Sequence, residues 1–346
     1  MRETLMLRQQ GVSIIVLAYG QLTFLRKLIS SLNETNYQNF EVIIVNNRRF
    51  GKDLEEIAKL SKHPTRVISP GRNLGFCAGN NLAFRYGATE NKYVAFLNDD
   101  VILTPDWLSQ CVEVLARNEG VGVVQPLITD YEGRMVQSGG FFPVTLFGRV
   151  YVGLFYLRGV GEPVDSFVKG SPVPYRCLAP LGSAFVVRRS VFDLVDGFDE
   201  YFVMGDEDFD FGWRVNRKGF PVFVVPAAIV MHFGRGSHSS VNKELDRLAI
   251  RNRILTMRKN MTASEFAIGL PLAITFLLSY AIFICAKSRT RFYLDVTVEG
   301  VGLALRDVFI GGISSRKSFL NNYQLFKRNP LSLKTVVRRL VGKRGW

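Results

Sequence analysis

Cysteine and histidine are scarce in this chain, which has four cysteines and three histidines among 346 residues. The cysteines are far apart and form no Cys-x-x-Cys pair, so the sequence indicates neither a zinc knuckle nor a disulfide framework. This sparse use of cysteine fits a reducing compartment. The first ten residues carry several charged side chains and no apolar core, so no cleavable signal peptide is expected there.

Acidic residues are scarce towards the C-terminal end. The formal net charge is +14, and residues 287–346 contribute +10 of it, with 13 Lys/Arg against 3 Asp/Glu. The preceding 286 residues therefore carry only +4. A basic tail of this kind binds anionic lipid surfaces or nucleic acid, or is simply a solvated basic surface.

Charge is absent from residues 266–286, a hydrophobic stretch of 21 residues beside this tail. About 20 apolar residues are enough to span a bilayer. Basic residues flank both ends, and positive charge prefers the cytoplasmic side, which disfavours one clean crossing. A re-entrant or interfacial helix, or a hairpin with the weaker apolar segment 296–313, would keep both ends inside. The alternative is a buried core helix.

Apolar runs of strand length alternate with helical periodicity over much of the chain, whose hydrophobic content is 47%. This pattern predicts a βαβ open sheet covered by helices. The predicted strands are 12–18, 40–45, 93–97, 181–187 and 220–231, and the predicted helices are 22–32, 80–86 and 107–117. Residues 125–180 are less regular and predict loops and short strands that could frame an acceptor site.

The segment Tyr93–Asp100 carries the strongest functional signal. Its apolar run ends in Asn98, Asp99 and Asp100. In an open α/β sheet, ligands bind beyond the carboxyl ends of the strands, and carboxylates there can hold Mg²⁺ or Mn²⁺ against a diphosphate. A polar turn that ends a buried strand would have the same composition.

The segment Asn73–Asn81 joins a loop to a predicted helix start. Gly75 and Gly79 permit close backbone approach, and Asn80 is the predicted helix cap, where amide groups can face an anion. A purely structural cap would be similar.

The segment Met204–Asp210 places four carboxylates within five residues ahead of a predicted helix. Acidic residues commonly complement a helix dipole, yet clustered carboxylates also raise one another's pKa, and one of them could act as a general base. His232 follows a predicted strand and is either structural, a metal ligand or a phosphate contact.

Together these motifs resemble the family 2 glycosyltransferases of the GT-A fold, and in particular their rhamnosyltransferase-like branch. The resemblance covers about residues 12–260. It is carried, in order, by Val12–Tyr19, Glu41–Asn47, Asn73–Asn81, Tyr93–Trp107, Gly182–Arg188, Gly197–Asp199, Glu207–Phe211 and Pro226–His232. It implies a Rossmann-like open mixed sheet with flanking helices in a catalytic domain of residues 1–260, followed by a membrane-associated helical region of residues 261–346.

The resemblance also implies roles for the matching residues. Asp100 and His232 would hold Mg²⁺ or Mn²⁺, Asp208 would be the catalytic base beside Glu207, and Gly197–Asp199 would be the turn that leads to them. The nucleotide-sugar donor would be lined by Ala18, Tyr19, Asn46, Asn47, Asn73, Gly75, Asn80, Asn98 and Asp99.

One departure concerns Asn46 and Asn47, where the family commonly has Asp-Asn. An Asn oxygen can accept a hydrogen bond from a nucleobase, but without the charge of Asp. The implied reaction is an inverting transfer from a nucleotide-sugar to a hydroxyl of a glycan or lipid-linked acceptor, at the cytoplasmic face of the membrane.

Three alternative classes are open. A catalytically silent GT-A-fold scaffold would keep the fold and lose ligands. A nucleotidyltransferase would also use a metal and two carboxylates, but it usually has a Gly-rich basic loop after the first strand, where this chain has Leu17–Gln21. A nucleic-acid-binding protein is suggested only by the basic tail, so no nucleic-acid partner is expected.

Overall fold

The computed structural model describes residues 10–48, 50–88, 91–146, 150–234, 243–288 and 291–309. Backbone contacts divide the chain into two compact units, which are described separately. The first contains residues 1–141 and 157–240, and the second contains residues 142–156 and 241–346. Most of the basic tail, residues 310–346, lies outside the described residues. The predicted boundary at residue 260 falls between two helices of the second unit, and a catalytic domain that ends there stays a prediction.

The strands are β1 Val12–Ala18, β2 Phe40–Asn46, β3 Thr65–Ile68, β4 Tyr93–Asn98, β5 Val101–Leu103, β6 Val123–Thr129, β7 Val136–Ser138, β8 Phe141–Leu146, β9 Val150–Leu157, β10 Tyr175–Cys177, β11 Ala184–Arg188 and β12 Val222–His232. The helices are α1 Leu22–Asn33, α2 Lys52–Ala58, α3 Gly75–Tyr86, α4 Trp107–Arg117, α5 Val164–Gly170, α6 Arg189–Leu194, α7 Glu207–Arg217, α8 Lys243–Asn260, α9 Ala263–Ser288 and α10 Phe292–Phe309. A short 3₁₀ helix spans Glu200–Phe202.

A ten-stranded mixed sheet forms the first unit, in the order β10-β12-β6-β11-β4-β1-β2-β3, with β5 beside β12 and β7 beside β6. Strands β4, β1, β2 and β3 run parallel, whereas β11 is antiparallel to both of its neighbours. Every residue of β1, β2, β6 and β11 is buried. Helices therefore cover both faces of the sheet, as the continuous apolar runs predicted.

Most of the predicted strands and helices of the first unit are confirmed, with small shifts at their ends. The start of α3 was predicted wrongly, because the helix begins at Gly75 and not near Asn80. Asn80 is an interior helical residue whose Nδ2 donates to the Phe76 carbonyl at 3.0 Å, so it is not a cap. The middle region is also more regular than expected, since β6 is a fully buried strand of seven residues.

The second unit combines the hairpin of β8 and β9 with helices α8, α9 and α10. Gly153 and Gly269 allow close packing in this unit. A Cβ atom on Gly153 would meet the Ala273 Cβ at 2.4 Å, and one on Gly269 would meet the Tyr151 carbonyl at 2.7 Å. Helix α10 packs along α8, where Arg251 and Asp307 form a buried ion pair at 2.6 Å.

Helix α9 contains the whole hydrophobic stretch predicted over residues 266–286. It has 26 residues, and its most apolar window has a mean hydropathy of 2.2 and is only 17% buried. Among the described residues it is the one helix that is long and apolar enough to cross a membrane. Its buried residues face its own unit, while Ile268, Tyr280, Ile282 and Phe283 are exposed.

Candidate active site

The predicted site residues gather where the central strands end. The parallel register pairs Ala18 with Asn46 and Leu17 with Asn98, which aligns the carboxyl ends of β1, β2 and β4. Strand β11 enters this edge from the opposite direction, and the Asn98 amide donates to the Ser183 carbonyl at 2.9 Å. The residues after β4 therefore face those just before β11.

Asp99 is a buried carboxylate held by the loop that follows β1. Its Oδ2 accepts hydrogen bonds from the amides of Tyr19 at 2.7 Å and Gly20 at 2.6 Å. Burial raises the pKa of Asp99 to about 6, although these two amides oppose the shift. A Cβ at Gly20 would lie 3.1 Å from Oδ1 of Asp99, so a glycine suits this close approach. Asp99 thus fixes the loop between β1 and α1.

Asp100 and His232 form the pair that the resemblance assigns to a metal. Oδ1 of Asp100 lies 3.3 Å from Nε2 of His232, and their side chains are 5% and 13% exposed. The register places His232 opposite Val101, and the Phe233 amide donates to the Asp100 carbonyl at 3.1 Å. Gln137 contacts the other side of His232, with Oε1 lying 3.1 Å from Nδ1.

This donor set suits a cation that is shared with a substrate. Within the described part of the chain, no three His, Cys, Asp or Glu side chains gather as a metal-binding group. Mg²⁺ is commonly bound through one or two protein groups together with substrate phosphates. An adjacent carboxylate oxygen and imidazole nitrogen therefore fit Mg²⁺ or Mn²⁺ held against a diphosphate, and do not fit a complete protein cage.

Asp208 stands at the start of α7 and is fixed by two backbone amides. Oδ2 accepts from Gly182 at 2.8 Å, and Oδ1 accepts from Phe209 at 2.8 Å. Burial is the main cause that raises the pKa of Asp208 to about 7, and the charge of Asp206 adds to the shift. Because Gly182 immediately precedes Ser183, this contact brings Asp208 to the edge beside β4. A buried carboxylate that is held by backbone amides and has a raised pKa suits the role of a general base.

Glu207 is a second buried carboxylate, beside Asp208. Burial, and then the charge of Asp208, raise the pKa of Glu207 well above its ordinary value. Glu207 is therefore harder to ionise than an exposed glutamate. Its predicted catalytic role stays a prediction.

The loop before α7 occupies the start of α3. The Val203 carbonyl accepts hydrogen bonds from the amides of Phe76 at 2.9 Å and Cys77 at 3.4 Å. A Cβ at Gly75 would meet the Val203 carbonyl oxygen at 3.0 Å. The first amides of α3 are thus used within the protein, which differs from the predicted anion-facing role. Val203 and Asp206 both have positive φ values, of 58° and 60°, so this loop is conformationally strained.

The asparagines predicted to line the donor site brace the surrounding loops. Asn46 accepts from the Phe50 amide and donates to the Phe50 carbonyl, both at 2.8 Å. Asn47 accepts from the Leu74 amide at 2.8 Å, and Asn73 accepts from the Gly75 amide at 2.8 Å. Asn46 needs both its donor and its acceptor for this contact, and an Asp could supply only the acceptor. The donor-binding roles of these residues stay predictions.

Several contributors to the site were given no role of their own from the sequence. Gly182 acts through its backbone amide, and Gln137 lies far along the chain from His232. Arg48 lies over the Tyr19 ring at 6.0 Å and donates to the Gly20 carbonyl at 3.3 Å. The position of Gly182, just before a strand antiparallel to β4, was the available clue, but it depends on knowing the pairing of the strands.

The mixed sheet, with Asp99 and Asp100 directly after β4 and a further buried carboxylate at the start of α7, has the architecture of a GT-A type of transferase fold. The family comparison agrees. A model of glycosyl transferase family 2 matches residues 13–159, and a model of glycosyl transferase family group 2 matches residues 93–286, more than half of the chain. The chain therefore belongs to glycosyl transferase family group 2, and its N-terminal part matches family 2.

Similar proteins include rhamnosyltransferases. The chain is 26% identical to the N-acetylglucosaminyl-diphospho-decaprenol L-rhamnosyltransferase of Mycobacterium tuberculosis, over 69% of this chain and 81% of that protein. It is 25% identical to the rhamnosyltransferase WbbL of Escherichia coli, over 71% of this chain and 96% of that protein. It is also 29% identical to the uncharacterized protein y4gI of Sinorhizobium fredii, over 74% of this chain, but it spans only 28% of that protein.

Solved structures share the fold. Staphylococcus aureus TarS in complex with UDP-GlcNAc aligns with a TM-score of 0.57 and 16% identity, over 86% of this chain and 81% of that one. The mannosyltransferase PcManGT of Pyrobaculum calidifontis, solved with GDP-Man and Mn²⁺, aligns with a TM-score of 0.53 and 15% identity. The alignment covers 97% of this chain and 88% of that one. At these identities the likeness concerns the fold alone.

Proposed function

We propose that this protein is an inverting, metal-dependent glycosyltransferase. It moves a sugar, of the hexosyl or rhamnosyl type, from a nucleoside diphosphate to a hydroxyl of a glycan or lipid-linked acceptor. The observation that carries the proposal is the meeting of three carboxylates at one sheet edge. Asp99 accepts hydrogen bonds from the loop after β1, Asp100 lies beside His232, and Asp208 accepts a hydrogen bond from the Gly182 amide. The rhamnosyltransferase relatives support the sugar class.

Asp208 is the base in this mechanism. Its two carboxylate oxygens each accept one backbone amide, and each oxygen has a further lone pair for a substrate proton. The carboxylate removes the proton of the acceptor hydroxyl while that oxygen attacks the anomeric carbon. The bond between this carbon and the diphosphate oxygen breaks on the opposite face, so the product has inverted configuration. The bonding electrons leave with the nucleoside diphosphate, and Asp208 keeps the proton.

The donor lies beside β1 and β4 in this proposal. Asp99 positions the Tyr19–Gly20 loop and is the candidate contact for the ribose or sugar hydroxyls. Asp100 and His232 would hold Mg²⁺ or Mn²⁺ against the diphosphate. When bound, the ion neutralises charge on the leaving group. The Mn²⁺ in the structure of PcManGT supports this assignment.

The test is calorimetric titration of the protein with UDP, dTDP, GDP and CDP, each with and without Mn²⁺. We expect one nucleotide to bind with metal dependence, and Asp100→Ala to remove that dependence. Glu132→Ala is the matched control, because it deletes an exposed carboxylate of the same unit. Equal binding with and without metal in both proteins would contradict the metal assignment.

The exposed side of α9 is the proposed membrane contact. Its apolar residues Ile268, Ile282 and Phe283 are 55%, 56% and 43% exposed, and basic residues continue after the helix. An interfacial helix with a large exposed apolar surface gains about 25 cal/mol for each Å² that enters the acyl region. This would hold the enzyme at the cytoplasmic face, where a lipid-linked acceptor presents its sugar. A decaprenol-linked substrate is named for one relative, which supports this choice.

Vesicle sedimentation tests this contact. The triple variant Ile268→Gln, Ile282→Gln and Phe283→Gln should pellet less than the unmodified protein with anionic vesicles. Its control replaces Leu60 and Val173, exposed apolar residues of the first unit, with Gln. Equal losses in both variants, or none in either, would contradict the role of α9.

The second candidate is a catalytically silent partner of a glycan assembly complex. The engagement of Asn46 with Phe50 favours it, because this side chain offers a nucleobase no charged acceptor. The two functions differ in one respect: a silent partner would bind none of the four nucleotides, whereas the transferase binds one of them.

A further inference from the structure

Gln137 contacts His232, one of the two residues that are proposed to hold the metal. It lies in the middle of β7 and is half-buried. Its Oε1 is 3.1 Å from Nδ1 of His232, and its Nε2 donates to the His232 backbone carbonyl at 2.8 Å. One side chain thus contacts both the ring and the backbone of the same residue, although the two residues are 95 positions apart.

These two contacts determine which histidine nitrogen carries the proton. The backbone carbonyl of His232 can only accept, so the amide nitrogen of Gln137 must face it. The carbonyl oxygen of the Gln137 amide then faces Nδ1, and an oxygen acceptor there requires a proton on Nδ1. In the neutral ring, Nε2 therefore has the lone pair.

The lone pair on Nε2 faces Asp100. Nε2 lies 3.3 Å from Oδ1 of Asp100, and an ionised carboxylate is also only an acceptor. Two neighbouring electron-pair donors of this kind suit a cation and do not suit a direct hydrogen bond between them. The opposite tautomer would point an N–H at Asp100. The resulting hydrogen bond would occupy the Asp100 oxygen and leave no lone pair on Nε2 for a cation.

We propose that Gln137 is a positioning residue, which fixes the Nδ1–H tautomer of His232 and so keeps Nε2 as an electron-pair donor toward a divalent cation beside Asp100. The proposal rests on the metal role of His232 proposed above. Partners that orient metal-binding histidines typically change metal affinity by about 10–100-fold when they are lost.

The first test reads the tautomer directly and needs no metal. The ¹⁵N shifts of the ring nitrogens are measured by NMR at alkaline pH; the chain has only three histidines, and His232→Gln assigns the signal. We expect Nδ1–H in the unmodified protein. In Gln137→Leu, the Asp100 carboxylate should draw the proton to Nε2. An Nε2–H tautomer in the unmodified protein, or no change in Gln137→Leu, would overturn the proposal.

The second test measures Mn²⁺ affinity by calorimetry in the presence of the nucleoside diphosphate that binds best. Gln137→Leu should lose about 10–100-fold in affinity. Gln137→Glu keeps an oxygen acceptor for Nδ1–H and should retain the tautomer and part of the affinity. The control is Gln38→Leu, which removes another glutamine that donates to a backbone carbonyl, that of Thr35.

The two tests separate the possible failures. If the unmodified protein binds no Mn²⁺ but Gln137→Leu changes the tautomer of His232, the metal role fails and the positioning of His232 by Gln137 stands. If the metal binds equally well to the unmodified protein and to Gln137→Leu, the metal role stands and the positioning role is wrong.

Discussion

The strand-end edge of the first unit and the α8–α10 pair of the second unit stabilise buried charge by different means. At the edge of the first unit where β1, β2 and β4 end, Asp99 and Asp208 are held by backbone amides at 2.6–2.8 Å. In the second unit, the buried Asp307 is paired with the Arg251 guanidinium at 2.6 Å. Backbone amides carry only partial charge, so they orient a carboxylate without neutralising it. A guanidinium neutralises it.

This difference distinguishes the proposed base from a group that supports the fold. Amide contacts leave the pKa of Asp208 raised to about 7 by burial, where loss and gain of a proton are both accessible. The Arg251–Asp307 pair links α8 to α10 through charge-assisted hydrogen bonding and is suited to holding two helices together. Changes to each type of site should therefore affect different measurements.

The largest effect is expected from Asp208→Asn. The amide cannot accept a proton from the sugar hydroxyl, so turnover should fall by about 10²–10⁴-fold, the usual contribution of a general base. Nucleotide affinity should change little, because the proposed donor contacts lie on β1 and β4. Single-turnover rates and calorimetry measure the two effects separately.

Asp196→Asn is the matched control for this change. Asp196 is exposed and has a φ of 60°, a left-handed conformation that Asn also tolerates. Its turnover should stay at the level of the unmodified protein. Turnover by Asp208→Asn close to that of Asp196→Asn would remove Asp208 as the base.

Arg251→Met should destabilise the second unit. The substitution leaves Asp307, which is 8% exposed, buried without its guanidinium partner, and breaking a buried pair in this way costs about 3–5 kcal/mol. We expect faster amide hydrogen exchange in α8 and α10. Exchange in β1 and β4 should be less affected, because their packing belongs to the first unit.

The double variant Arg251→Met with Asp307→Leu tests the cause of that loss. Replacing both members by apolar residues removes the unpaired charge, so much of the stability should return. If the double variant were less stable than Arg251→Met alone, the unpaired carboxylate would not be the source of the loss.

A smaller effect is expected from Asp206→Asn, which removes a charge that raises the pKa of Asp208. Burial remains the main cause of the raised pKa, so the pKa should fall but stay above the ordinary value of an aspartate. Because the base acts when deprotonated, activity rises with pH through this pKa. The acidic limb of the pH–rate profile should therefore move to lower pH. A move to higher pH would contradict the assigned charge effect.

The sequence was sufficient to predict the central strands and the polar residues that gather at their ends, whereas the roles of these residues stay predictions. Apolar runs such as Val12–Ala18 end at one edge of a parallel sheet, so polar residues at their ends can be expected to meet. The contacts that orient those residues could not be predicted in this way. The Gly182 amide and the Gln137 side chain depend on strand pairing, which the composition of a segment does not encode.

The misplaced start of α3 illustrates the same limit. Asn80 is of a residue type that is common at helix caps. The turn before it is already helical, however, and the first amides of that turn donate to the Val203 carbonyl. The partner lies more than 120 residues along the chain, in the loop before α7. Hydrophobicity alone located α9, whereas its packing on the hairpin of β8 and β9 depends on Gly153 and Ala273.

The smallest effect is expected at the surface of the second unit. Lys243 and Glu299 are 2.6 Å apart, but their side chains are 52% and 39% exposed. Solvent screens such a pair and ordering its long side chains costs entropy, so Lys243→Gln should leave unfolding unchanged within error. The contrast with Arg251→Met should persist in high salt. If Lys243→Gln destabilised α8 as much as Arg251→Met does, burial would not explain why one ion pair matters and the other does not.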